Sequence, residues 1–141
     1  MKLSKRLMLI SLSLAAALPF TAMAQAFPSK SVRIILPFPV GTGPDSVMRQ
    51  VGNKLTTWWG VPVIVDNKTG GNGWIAVDAA KKAPADGYTF IQMDPSQLAL
   101  QPHLYKTLPF DPLNDFVAVA PMYSTNYFVV VASDSKYNSI P

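Results

Sequence analysis

The run Val32-Arg33-Ile34-Ile35-Leu36, followed at once by Pro37-Phe38-Pro39-Val40-Gly41-Thr42-Gly43-Pro44-Asp45, leaves a chain like this few ways to fold. The aliphatic, β-branched run suits a buried strand. Proline and glycine then break it, and behind Asp45 the residues Val47, Val51, Leu55 and Trp58 recur at near-helical spacing. The order is strand, glycine loop, helix N-terminus. Free backbone N–H groups and the positive end of a helix dipole converge at such a junction, and together they favour an anion such as a small carboxylate or phosphate. A tight turn that only joins strand to helix satisfies the same spacing, so both readings stand.

The glycines narrow the choice of guest. A dinucleotide fingerprint needs G-x-G-x-x-G, and here Gly41 and Gly43 are followed by Ser46 where the third glycine belongs. A P-loop needs a lysine that this loop lacks. Pro39 and Pro44 stiffen the turn and remove two N–H donors, which suits a preformed cradle for a small solute.

Lys2, Lys5 and Arg6 precede an apolar stretch from Leu7 to Leu18, and Ala22-Met23-Ala24 has the small-x-small form of a signal-peptidase site. Residues 1–24 therefore read as a cleaved signal peptide, its apolar core too short for a comfortable membrane span of about 20 residues. The expected product starts near Gln25, is exported to the periplasm and does not insert into the membrane. The formal charge of +4 falls to +1 once the three leader cations are set aside, so no basic surface for nucleic acid is expected. All eight acids are Asp, a residue that favours caps and turns. With no cysteine and a single histidine, His103, neither a thiolate nor a His-cluster metal site is expected, and no cofactor motif is legible.

Downstream the chain alternates. Pro62 to Val65 is a second strand candidate, left through a turn at Asp66-Asn67. Gly70-Gly71-Asn72-Gly73 is a second glycine turn, Trp74 to Ala83 a short helix, and Tyr88 to Met93 a third strand. This β-α-β-α-β order predicts an α/β fold with a parallel sheet, whose ligands sit beyond the carboxyl ends of the strands. Asp94-Pro95 opens a loop or short helix. Val117 to Met122 and Tyr127 to Ala132 are two further strand candidates, either a hairpin or a crossing between lobes.

Four strings, KSVRIILPFPVGTGPDSVMR, GVPVIVDNKTGGNGWIA, APADGYTF and QPHLYKTLPFDPLNDFVAVAP, resemble in order and spacing the tripartite tricarboxylate transporter substrate-binding proteins, or Bug family. The resemblance runs from about Phe27 to Val131. It implies a type II periplasmic binding protein, in which two α/β lobes close on a small carboxylate and deliver it to the membrane components of a tripartite transporter. It also implies a carboxylate-gripping loop at Val40, Gly41, Thr42, Gly43 and Asp45, acting through backbone N–H groups and bridging waters. Thr42, Met48 and Asn72 stand where the family usually has Gly, Ala and Gly. Thr42 is expected to narrow the cradle and add a hydroxyl. Asp45 has two open roles: capping the helix, or meeting an amine, hydroxyl or ordered water at the ligand.

Other residues carry less. Arg49 reads as a solvated helix-face residue or a source of positive field, and Trp58, Trp59 and Trp74 as core or packing groups. His103 with Asp111 and Asp115 lacks a nucleophile elbow and reads as structural. Ser96 and Gln97 are candidates to line a cleft. The family's receptors are longer, so residues 25–116 are expected to form part of a first lobe and residues 117–141 the crossing toward a second lobe largely outside this chain. Two other classes remain beside a receptor: an exported enzyme with an anion-binding loop, for which no catalytic constellation is legible, and an inactive or self-associating exported fragment.

Overall fold

The computed structural model describes residues 26–126 and 128–137; the expected signal peptide lies outside them. Three strands, β1 (Val32–Leu36), β2 (Val63–Asn67) and β3 (Thr89–Ile91), form one parallel sheet in the order β2-β1-β3. β1 lies in the middle, Ile34 facing Val65 on one side and Phe90 on the other. Helix α1 (Gly43–Trp59) links β1 to β2, and α2 (Trp74–Lys81) links β2 to β3. Putting β2 and β3 on opposite sides of β1 creates a topological switch point at the carboxyl ends of β1 and β3. Both loops that leave that point come from sequence already marked by proline and glycine.

The centre of the sheet explains the unbroken apolar run. Val32, Ile35 and Leu36 are at most 1% exposed. Ile34 and Leu36 pack with Met48 of α1, and Phe38, Val63, Val65 and Phe90 close the cluster. α2 contributes buried Ala76 and Val77 and packs over β1 and β3.

The buried stripe of α1 differs from the apolar stripe in its sequence. Asp45, Met48 and Gly52 are its buried residues, whereas Val47, Val51, Leu55 and Trp58 project on a line rotated by roughly 100° at 100° per residue. Trp58 is 75% exposed, contrary to the packing role expected for it. Trp59, nearly in line with Met48, is the one that meets Phe27, with ring centroids 6.0 Å apart. Gly52 faces β2 closely: a Cβ there would lie 3.5 Å from Val63 Cγ1. The helix ends at Gly60 (φ 70°), whose N–H bonds Thr56 O, and Thr56 Oγ1 in turn accepts the N–H of Val63 at 3.0 Å.

Two expectations need correction. Asp66 and Asn67 are the last residues of β2, not a turn, because they pair with Ile35 and Leu36. Asp66 also accepts from Arg33 on the neighbouring strand. Among the described residues Val117 to Met122 and residues 128–132 form no strand, and the expected strand start at Tyr127 lies outside those residues. A strand needs a ladder partner, and neither segment has one. Val117, Val119, Phe128, Val129 and Val130 are all exposed.

Beyond β3 a π-helical stretch, Ser96–Leu100, runs directly into α3 (Gln101–Leu104). Asp94 starts it. Its Oδ1 accepts the Ser96 hydroxyl and amide at 2.6 and 2.8 Å, while Gln97 Oε1 accepts the Asp94 N–H at 2.9 Å. This is a reciprocal capping box, written in the sequence as D-P-S-Q ahead of an apolar run. No described helix is long and apolar enough to cross a membrane.

Candidate functional site

The loop after β1 is organised around a buried carboxylate. Asp45 is the third residue of α1 and only 2% exposed. Its Oδ2 accepts the Gly41 N–H at 2.9 Å and Arg49 Nε at 3.0 Å. Its Oδ1 accepts Asn67 Nδ2 at 2.8 Å and lies 3.0 Å from an Arg49 terminal nitrogen. Three hydrogen bonds and an ion-pair contact thus engage both oxygens of the carboxylate. Asn67 completes the ring: Nδ2 also donates to the Phe38 carbonyl at 2.9 Å, and Oδ1 accepts from Arg49 at 2.7 Å. Arg49, then the Gly41 amide and Asn67, hold the Asp45 carboxyl at a pKa of about 2, well below the usual carboxylate range.

Of the two roles left open for Asp45, the geometry is nearer to capping, with the carboxylate turned onto a backbone donor, although Asp45 is not itself the N-cap. Thr42 occupies the N-cap, with extended backbone and no side-chain cap bond. Asp45 reaches back from the first turn to the amide ahead of the cap, in the manner of the acidic half of a capping box. The Thr42 hydroxyl donates to the Pro39 carbonyl at 2.8 Å, turned onto its own loop instead of into a cradle. Gly41 has φ +84°, a left-handed conformation that a side chain resists, though open space surrounds it. Among the described residues the amides of Val40, Gly43 and Asp45 have no acceptor.

Two clefts open at the carboxyl ends of the strands. The larger, about 980 Å³, runs from Gly43, Pro44 and Val47 of α1 to Gln92, Met93 and Asp94 after β3, and residues 118–125 form its far wall. The smaller, about 430 Å³, lies between Gly70–Gly73 and the helix after Asp94. Phe38 and Asp94 line both. Ser96 and Gln97 line the smaller one and not the larger. Gly73 (φ +90°) is needed there: a Cβ would sit 2.7 Å from Gln97 Nε2. Asn72 also has positive φ, which Asn tolerates, and its Nδ2 donates to the Tyr105 hydroxyl at 2.7 Å.

Comparison with known proteins bears on the family and the fold. A family model described as tripartite tricarboxylate transporter family receptor matches residues 47–141. A UPF0065 protein of Bordetella bronchiseptica is 34% identical over 138 residues, spanning 98% of this chain and 41% of the relative. The chain belongs to the tripartite tricarboxylate transporter receptor family. BugT of Bordetella pertussis is a further member, 30% identical over 99% of this chain and 44% of its own length. Among solved structures, MatC of Rhodopseudomonas palustris with bound malate superposes with TM-score 0.64 at 28% identity, covering 68% of this chain and 33% of that one. The periplasmic binding protein BugD gives 0.58 at 30% identity, covering 64% and 30%. The parallel-sheet architecture is thus that of periplasmic binding proteins, and the chain spans less than half the length of the curated relatives it matches.

The remaining candidates in this receptor-family chain have structural partners. Arg49 is exposed on the helix face, as expected, but it is not a free source of field, because its guanidinium is shared by Asp45 and Asn67. Trp74 Nε1 donates to Gln101 Oε1 at 2.8 Å and its ring packs edge-on to Tyr105. Asp115 pairs with Lys81 at 2.7 Å and accepts the Asp111 amide, so that carboxylate serves a turn and an ion pair. Asn67 is the residue that the sequence reading passed over. Its place after a β-branched run looked like turn chemistry, and only its register beside Leu36 brings it to Asp45.

Proposed function

We propose that this chain provides the carboxylate-capturing lobe of a periplasmic solute receptor working with the membrane components of a tripartite transporter. On this reading residues 1–24 direct export and are removed, residues 25–116 form the lobe, and residues 117–141 lead toward a second one. MatC and the Rhodopseudomonas palustris protein solved with adipate carry small carboxylates, which supports the same ligand class here. The observation that carries the proposal is the saturation of Asp45. With its charge neutralised by Arg49 and its oxygens committed, the carboxylate no longer opposes an anion, and the amides of Gly43 and Asp45 stand at the N-terminus of α1, where Gly43 borders the larger cleft. Val40 supplies a third amide from the loop, while Gly41 and Thr42 hold the loop's shape. The receptor binds and releases its solute unchanged.

Calorimetric titration of the chain with small carboxylates tests this. Gly41→Val forces a β-branched residue into φ +84°, a strain on the order of 1–2 kcal/mol that displaces the loop. Affinity should fall at least about tenfold while the sheet stays folded. Unchanged affinity in this variant removes the loop from the site, and product formation from any ligand favours an exported enzyme instead.

A further inference from the structure

The walls of the larger cleft are chemically lopsided, and the imbalance bears on which carboxylate fits. At one end the N-terminus of α1 presents donors. At the other, β3 leads through Gln92 to Asp94, which presents an acceptor. Asp94 Oδ1 is committed to Ser96 and Gln97, but no described residue donates to Oδ2. Gln92 is only 7% exposed, its Nε2 donates to the Tyr123 hydroxyl at 3.0 Å, and its Oε1 has no partner. That oxygen is closed to solvent and so out of a ligand's reach, which leaves the half-buried Asp94 as the acceptor that faces a guest. Among the described residues neither cleft contains a lysine, arginine or histidine in its wall, and Asp94 is the one acidic side chain lining either. Arg49 cannot compensate, being held by Asp45 and Asn67.

We propose that Asp94 is a specificity-determining residue, selecting carboxylates that also carry an ammonium group over plain mono- and dicarboxylates of the same skeleton. The inference rests on the receptor reading and refines its ligand class. A ligand carboxylate docks at the α1 end, and its ammonium group meets the Asp94 charge. A second carboxylate in that position meets a like charge with no cation to offset it. A hydroxyl offers a donor without the charge, so it ranks between the two.

The test is calorimetry of the full chain with propionate, lactate and alanine, and with succinate and aspartate, in the parent and in Asp94→Asn. The parent should bind alanine over lactate over propionate, and aspartate at least about tenfold tighter than succinate. Asn caps a helix as well as Asp does, so the variant should melt like the parent. Its aspartate-to-succinate preference should nevertheless collapse to within about threefold. A preference that survives the substitution overturns the assignment, as does a parent that prefers succinate or treats lactate and alanine alike; in each case the receptor reading stands. No heat with any of the five acids removes the receptor reading, and the selectivity with it.

Discussion

Asn67→Ala probes the ring that shapes the loop after β1, the proposed ligand site, without touching the loop itself. The substitution deletes the bond to the Phe38 carbonyl at 2.9 Å, the bond to Asp45 at 2.8 Å, and the bond accepted from Arg49 at 2.7 Å. A neutral bond of the first kind contributes about 1 kcal/mol and a part-buried bond to a carboxylate about 1.5 kcal/mol. The third involves an exposed guanidinium and adds little. The expected loss is therefore about 2.5 kcal/mol, close to a tenfold change for every 1.4 kcal/mol in the folding constant. Urea unfolding followed by fluorescence of Trp59 and Trp74 reads it. The midpoint should fall with little change in slope, because the exposed surface on unfolding is nearly the same. Ligand affinity should fall in parallel, since the Phe38 to Gly41 segment loses its pin to β2. Asn67→Asp should be worse at neutral pH, where a second carboxylate faces Asp45, and should recover as one of the pair is protonated in acid. An Asn67→Ala protein within about 0.5 kcal/mol of the parent, with unchanged affinity, refutes the idea that this ring positions the loop.

The Asp45 carboxyl titrates near 2 in the folded chain, below the ordinary value near 4 of an unfolded Asp. Its contribution to stability is present above about pH 4 and is lost as pH falls through the folded value; Asp45→Asn should flatten that acid limb in pH-dependent melts. Gly52→Ala should stabilise the fold by about 0.5–1 kcal/mol through helix propensity, since its methyl meets Val63 and Val65 at ordinary contact distance; a drop in melting temperature would show that the α1–β2 contact is tighter than this. Thr42→Gly should keep ligand affinity and cost only a few tenths of a kcal/mol in denaturant titration, because Gly is a tolerated N-cap. The exposed apolar residues Val117, Val119, Val129 and Val130 should make the isolated chain self-associate, and Val119→Lys with Val129→Lys should shift size-exclusion profiles toward monomer.

Local chemistry made much of the lobe readable before any coordinates. Val32 to Leu36 had to be buried because an unbroken aliphatic run has no polar face to offer water. Proline and glycine at residues 37–44 had to end that strand, and the alternation downstream implied a parallel sheet. The glycine loop ahead of α1 was visible for the same reason: left-handed turns and bare amides leave a signature in residue type. What spacing could not supply was contact between distant segments. The helix phase was misread because Asp45 and Gly52, a charge and a residue without a side chain, occupy the buried stripe of α1 that hydrophobicity alone assigns to Val47 and Val51. Asp45 is affordable there only because Asn67, 22 residues away, is carried to it by β2 pairing with β1. Val117 to Val131 shows the converse: its residues favour strands, yet extended backbone becomes sheet only when a partner lies alongside, and no sequence pattern within the segment provides one. Residue type set the local conformations of this protein; which carboxylate was neutralised, which amides stayed free and where the clefts opened depended on the tertiary structure, because hydrogen bonds and ion pairs act over a few ångströms of space irrespective of separation along the chain.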